Sequence, residues 1–363
     1  MINHYRFRTA CCLSFALVPF VLAACGGATT APTGAGAPPA TGHAATRTVV
    51  DAAGRTVTIP SQVTRVGTNI TYANEMIYLL GGINKLVATD DYSAAHLPFF
   101  DAIYPPFKNI PQPFGALTPT VNPEQLLSTH PQVVFLQGQG LLPQLTNIGL
   151  PVVVLPYFTT PQQLQACVTL IAEVLGGTAP AQAQRFATFY NQAVAQATGP
   201  TASIPTANRP TAYYTGGDPL QTAGAGSIVT TWMNEGGARN VAADTGPSGP
   251  FTTVTLEQVL GWNPDYIICR DASTKPQILN DPRWQAIAAV RNHHVIVNPG
   301  GVFVWSASSA ESALQPLWAA QTFHPDLFPH LDMRQVVRDF YQQFYNFTPS
   351  DQQVTQTLQP NQR

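Results

Sequence analysis

The sequence predicts an α/β protein made of two lobes joined by helix, and three observations carry that reading. Short apolar strands alternate with short helices up to about residue 158, and the same alternation restarts after residue 200. Between them, "PQQLQACVTLIAEVLGG" and "APAQAQRFATFYNQAVAQATGP" have helical spacing and no strand signal. A phrase also recurs 133 residues apart, "EQLLSTHPQVVF" from Glu124 and "EQVLGWNPDYII" from Glu257. Strands alternating with helices argue for βα units and a mostly parallel sheet.

Taken in order, "RTVVDAAGRTVTIP" reads as a hairpin turning at Ala-Ala-Gly. A strand near Arg65–Thr68, the helix "YANEMIYLLGG" ended by its glycines, and a strand near Leu86–Thr89 follow. The Pro-rich passage "LPFFDAIYPPFKNIPQPFGALTP" is expected to wrap the surface. After it come the Glu124 helix, strand Val133–Leu136, helix Leu141–Ile148 and strand Val152–Leu155. The second lobe repeats the plan: strand "PTAYYT", helix "SIVTTWMNEGG", the Glu257 helix, strand Tyr266–Cys269, a helix over "DPRWQAIAAV" and strand "HVIVNP". Helices are expected at Glu311–Phe323, Met333–Tyr345 and in the tail. The lobes are therefore placed at residues 47–158 and 201–363, with 159–200 between them.

The segment before the body has its own logic. Arg6 and Arg8 precede the apolar run "TACCLSFALVPFVLAA", too short to span a bilayer, which is the pattern of a signal peptide over residues 1–24. The run ends in "LAAC", a lipobox-like sequence that makes Cys25 the expected lipidation site and a membrane anchor. Residues 25–46, rich in Gly, Ala, Pro and Thr, read as a tether, with His43 in solvent. Only Cys167 and Cys269 remain in the body, one on a helix and one on a strand, and two buried thiols are expected.

Composition narrows the function. Charged residues are only 10% of the chain, with three lysines and a net charge of −2, which excludes a basic face for nucleic acid. No G-x-S-x-G, H-E-x-x-H or catalytic carboxylate pair appears, so a lipid-anchored extracellular enzyme is the weaker alternative and no cofactor is expected. "TAGAGS" lacks the Lys-Ser/Thr of a nucleotide loop. The adjacent His293 and His294 enter a strand and should point to opposite faces; His96 is the better metal-ligand candidate, against a plain loop position.

Each glutamate of the twin phrase sits in the first turn of its helix. Asn122 and Thr255 are the expected N-caps, with Gln125 and Gln258 three residues on. A first-turn carboxylate complements the helix dipole by about 0.3–1 kcal/mol, which explains an acid there but not why both lobes carry one.

Two α/β lobes, a helical link, a lipobox and paired glutamates together resemble the substrate-binding lipoproteins of ABC importers. The resemblance is to the class delivering ferric siderophores, haem and cobalamin, periplasmic binding proteins with a helical backbone. It runs from about Val49 to Phe347 through "GGINKLVATD", "VNPEQLLSTHPQVVF", "TAGAGSIVTTWMNEGGARNV", "TLEQVLGWNPDYIIC", "DPRWQAIAAVRNHHVIVNP" and "SALQPLWAAQTFHPDLF". It implies Rossmann-like lobes bridged by one long helix, a ligand cleft between them, and a monomer serving a permease dimer with its ATPase. It also implies that Glu124 and Glu257 dock to the permease. The ligand it implies is an iron(III)-siderophore or related metal chelate. Nickel or cobalt chelates, molybdate or tungstate, haem and cobalamin are the alternatives, since the tail resembles a subset of the family with small metal complexes and oxyanions.

Ligands of open α/β sheets lie beyond the carboxyl ends of the strands. That rule selects Asn69, Asp90, Gln137 and Tyr157 from the first lobe, and Thr215, Arg270 and the "GGVFVW" loop ending in Trp305 from the second, with Tyr72 and Tyr92 on neighbouring loops. Gln137 and Arg270, again 133 apart, are expected to face one another. Arg270 is the leading candidate, as a permanent forked cation for an anionic chelate, with an ion pair to Asp271 as the alternative.

Overall fold

A computed structural model describes residues 45–360 apart from 94–96, 98, 247 and 308. The signal segment, Cys25, the tether with His43, and His96 lie outside the described residues. Among those described, no helix is long and apolar enough to cross a membrane.

The chain opens with the expected hairpin, β1 (Thr46–Val50) antiparallel to β2 (Thr56–Pro60). Asp51 pins it to the body by accepting from the amides of Ala53, Arg55 and Val154. Next come β3 (Val66–Thr68), β4 (Leu86–Ala88), the small hairpin β5 (Phe114–Gly115) and β6 (Thr120–Val121), then β7 (Val133–Gln137) and β8 (Val152–Leu155). The first four-stranded sheet runs β4-β3-β7-β8, all parallel. Val133–Leu136 of β7 and all of β8 are buried apolar runs, as expected of parallel strands covered on both faces.

The second half adds β9 (Thr211–Thr215), β10 (Gln221–Thr222), β11 (Arg239–Asn240), β12 (Thr252–Thr253), β13 (Tyr266–Cys269) and β14 (Val295–Val297). Its sheet runs β11-β9-β13-β14, again all parallel. Both sheets thus share one order, in which the second strand lies outermost beside the first, followed by the third and fourth.

The link between the sheets is helical, Pro161–Leu175 followed by the long 23-residue helix Ala179–Thr201. Gly176 and Gly177 break it, with φ of +65° and +61°, a left-handed pair that side-chain-bearing residues adopt only at a cost. The Pro-rich passage runs over the surface as expected, with most of its residues exposed or half-buried. Phe100, Phe107 and Phe114 are fully buried and anchor it in the core, Phe100 meeting Phe107 edge-on at 4.4 Å. Burying each such ring contributes about 1.5–3 kcal/mol. "DPRWQAIAAV" is two short turns, Pro282–Trp284 and Ala288–Arg291, because Asp281 caps the first and Asn263 accepts from the Ala288 amide at the second. Helix Thr274–Asn280 just before them was not expected.

The tail helices Met333–Tyr345 and Asp351–Leu358 return to pack on the first helix, Thr71–Leu79, and on the main core. Cys167 and Cys269 are both free and buried.

Candidate functional site

The twin phrase folds the same way twice. Helices Pro123–Ser128 and Leu256–Trp262 precede the third strand of their sheets, and Glu124 and Glu257 occupy the second helical position of each, both exposed. Asn122 accepts from the Gln125 amide at 3.1 Å; Thr255 and Gln258 form the full reciprocal capping box. Each phrase then turns through a left-handed residue before proline, His130 at φ +47° and Asn263 at φ +42°. Hydrogen bonds from its own backbone amide and from Thr255 hold the Glu257 carboxyl below the ordinary carboxylate range.

Beyond the carboxyl ends of the strands lies a solvent-open cleft of about 970 Å³. Six of the sequence-selected residues line it: Asn69, Tyr72, Tyr92, Gln137, Tyr157 and Arg270. Gln137 and Arg270 therefore share one cavity. Asn69 is fixed by accepting from the Gln137 amide at 3.1 Å. The first helix begins on this wall with no side-chain cap, and Ile70, Thr71 and Tyr72 of its first turn face the cleft. An uncapped helix start presents unpaired amides and a partial positive charge.

Arg270 follows β13 and is half-buried. Among the described residues no carboxylate ion-pairs with it, Asp271 included, and its Nε is shielded from solvent without a hydrogen-bond partner. It is the one ionisable side chain other than tyrosine among the described residues lining the cleft. A second chamber of about 470 Å³ continues behind it, sharing Tyr157, Phe251, Arg270 and Ala307 with the cleft. Its deeper wall includes Tyr214 and Ser306, hydrogen-bonded at 3.0 Å, and burial pushes the Tyr214 hydroxyl up to about 12. Burial likewise raises Tyr72 well above the ordinary tyrosine value, and its hydroxyl has no partner among the described residues.

Three sequence-selected residues stand behind the walls. Asp90 is fully buried and accepts from Thr71 Oγ1 (3.1 Å) and from the amides of Tyr92 (3.1 Å) and Ser93 (2.9 Å). It fixes two segments that do line the cleft. Thr215 and Trp305 are also fully buried and belong to neither cavity lining. Phe303, from the same selected loop as Trp305, lines the cleft in its stead, together with Phe251 and Leu117, which the sequence did not select. Leu117, Tyr157 and Phe251 are 86%, 59% and 62% exposed, so the mouth has an apolar rim that the bulk of the surface lacks.

The histidine alternatives resolve locally. His294 stacks on Tyr266 at 4.4 Å and its Nδ1 lies 3.1 Å from the Asp265 carbonyl, while His293 occupies a left-handed turn at φ +62°. Among the described residues there is no group of three or more His, Cys, Asp or Glu side chains able to hold a metal ion.

A family model described as periplasmic binding protein matches residues 71–300. The chain is 28% identical over 337 residues to the molybdate-binding protein MolA of Haemophilus influenzae, covering 83% of this chain and 91% of that protein. The molybdate-bound structure of MolA has a TM-score of 0.76 at 26% identity, over 84% of this chain and 99% of that one. A periplasmic solute binding protein from Veillonella parvula is 24% identical with a TM-score of 0.77, over 86% and 97%. The CeuE protein of Helicobacter pylori, solved as a Ni-His complex, is 16% identical with a TM-score of 0.70, over 86% and 99%. The last two bear on the fold alone.

Proposed function

The chain belongs to the periplasmic binding protein family of ABC importers, and from that premise we propose that its cargo is a small anion of the molybdate or tungstate type. The observation that carries this reading is Arg270, a half-buried cation on the wall of the cleft with no counter-ion among the described residues. A buried cation without a partner is costly, and a bound oxyanion supplies both the opposite charge and acceptors for the fork. MolA, named for molybdate, covers most of the chain and agrees with this choice.

A second reading, an iron(III)-siderophore or similar anionic metal chelate, is favoured by the apolar rim of Leu117, Tyr157 and Phe251. Both readings need Arg270 and differ in the rim. Tryptophan fluorescence separates them, because all five tryptophans (Trp232, Trp262, Trp284, Trp305, Trp318) lie after residue 200. Molybdate, tungstate, ferric siderophores, nickel–histidine, haem and cobalamin would be titrated in turn. Saturable one-to-one change with molybdate supports the first reading; change with ferric siderophores alone moves the assignment to the second; enzymatic turnover of any of them removes both.

We further assign Glu124 and Glu257 to docking on the permease dimer, supported by their equivalent exposed positions in two lobes. Lipidation at Cys25, lobes at 47–158 and 201–363, and a monomeric state complete the proposal. A Cys25→Ala protein that stays with the membrane fraction removes the anchor.

A further inference from the structure

One wall of the cleft is tied to the tail of the chain through two buried carboxyls. Glu75, in the first helix, is fully buried and accepts from Ser309 Oγ (3.2 and 3.1 Å), from the amides of Ala310 (3.0 Å) and Glu311 (3.1 Å), and from the Tyr345 hydroxyl (2.7 Å). Glu311, also fully buried, accepts from the amides of Gly301 and Phe303, both at 3.2 Å, and from the Tyr341 hydroxyl. The Gly300 amide donates to the Thr357 carbonyl at 3.0 Å. Phe303 lines the ligand cleft. The segment from Gly300 to Trp305 is therefore gripped from behind by Glu311 and by both tail helices. Gly301 is required by this contact, since a Cβ there would fall 1.8 Å from the Tyr341 hydroxyl oxygen and 2.6 Å from Glu311 Oε1.

The ionisable groups facing Glu311 are Glu75 from the first helix and Tyr341 and Tyr345 from the tail, with Tyr78 of the first helix packed edge-on to Tyr345. Among the described residues no lysine, arginine or histidine pairs with either carboxyl. Glu75 has the richer set of donors and sits at the start of the turn Ala310–Ala313, so it is the better placed of the two to keep a negative charge. Burial first, then the neighbouring Glu75, pushes the Glu311 carboxyl up to about 8.

We propose that Glu311 is a positioning residue for ligand capture: its protonated carboxyl, anchored by Tyr341, holds the Gly300–Trp305 wall in place, and loss of that proton loosens the wall. Two adjacent buried carboxylates without a cation are unfavourable, and the direct relief is for the wall to part and admit water. The sign follows from linkage. A carboxyl with an ordinary value of 4.5 and about 8 when buried favours the closed wall fully below 4.5. That contribution is lost as pH rises between the two values and is gone above the upper one.

The link from wall to ligand rests on the cleft being the capture site, as proposed above, so the test has one arm without ligand. Amide exchange of Gly301 and Phe303, corrected for the intrinsic rate, would be measured in the free full chain from pH 5 to 9. The wild type should open up to about tenfold more per pH unit and level off near the upper value. Glu311→Gln, which keeps the shape without an ionisable proton, should be flat. Glu311→Ala should open at every pH. In the second arm, molybdate affinity should fall from pH 6 to 8.5 in the wild type and not in Glu311→Gln. A Glu311→Gln protein with the wild-type slope, or an affinity that ignores an opening wall, overturns the proposal. Silence to molybdate at every pH with the amide pattern intact supports the wall device and counts only against the molybdate reading.

Discussion

In the first sheet Val134 pairs with Gly67 and Val152; in the second, Ile267, 133 residues on, pairs with Tyr213 and Val295. That register makes Gln137 the counterpart of Arg270 and Asn69 the counterpart of Thr215. Strand order, caps, left-handed turns and the two glutamates also correspond. The ligand-facing positions do not. The first lobe offers amides, hydroxyls and an uncapped helix start, whereas the second offers a guanidinium in front of a deeper chamber. On the proposed reading, what is shared serves a partner that sees both lobes, and what differs serves a ligand that does not. The cleft's one non-tyrosine ionisable side chain among the described residues stands on one lobe, so an anion held there would meet only neutral donors from the other.

The glutamates test the shared half of this comparison most severely. Reversing both, Glu124→Lys with Glu257→Lys, should abolish uptake in cells while leaving ligand affinity within about twofold, because both are exposed and neither belongs to the cleft lining. A large loss of affinity in a binding assay would break the assignment. The differing half is tested by truncating the counterparts. Arg270→Ala should weaken anion binding by about 3 kcal/mol, roughly a hundredfold, and Gln137→Ala by less than about tenfold. Equal losses in calorimetry would erase the asymmetry.

Smaller effects sharpen the picture. Burial pushes the Glu235 carboxyl, at the end of helix Ile228–Glu235, up to about 7, and its Oε2 has no hydrogen-bond partner among the described residues. Such a group costs stability as pH rises from the ordinary value of 4.5 to about 7, and no more beyond it. Glu235→Gln should therefore gain about 1–3 kcal/mol over the wild type at pH 8 and little at pH 4.5, read from thermal unfolding. Smallest is the pair of left-handed turns. His130→Gly should stabilise by up to about 1 kcal/mol and Asn263→Gly by less, since asparagine already tolerates that conformation.

The sheets were legible because their signals are local: Val152–Leu155, Tyr266–Cys269 and Met333–Tyr345 have the bounds their apolar runs and caps predict. Knowing the strand ends was enough to bring Asn69, Gln137, Tyr157 and Arg270 onto one cleft, with Tyr72 and Tyr92 beside them. Side-chain direction was not legible. Asp90 and Trp305 follow strands as the rule requires, yet Asp90 turns inward to Thr71 and the Ser93 amide, and Trp305 is enclosed by the core. Phe251 and Leu117 reach the walls from loops with no periodicity to mark them. Glu75 reads as an ordinary helix glutamate, because the donors that justify its burial arrive from Ser309 to Tyr345, more than 230 residues away.

The most direct test of an anion cleft charged from one lobe is a calorimetric titration of the purified protein with molybdate and, side by side, with electroneutral cobalamin. The account predicts one-to-one binding of molybdate that weakens by roughly a hundredfold in Arg270→Ala, and no heat from cobalamin. Binding of cobalamin with silence to molybdate would contradict it.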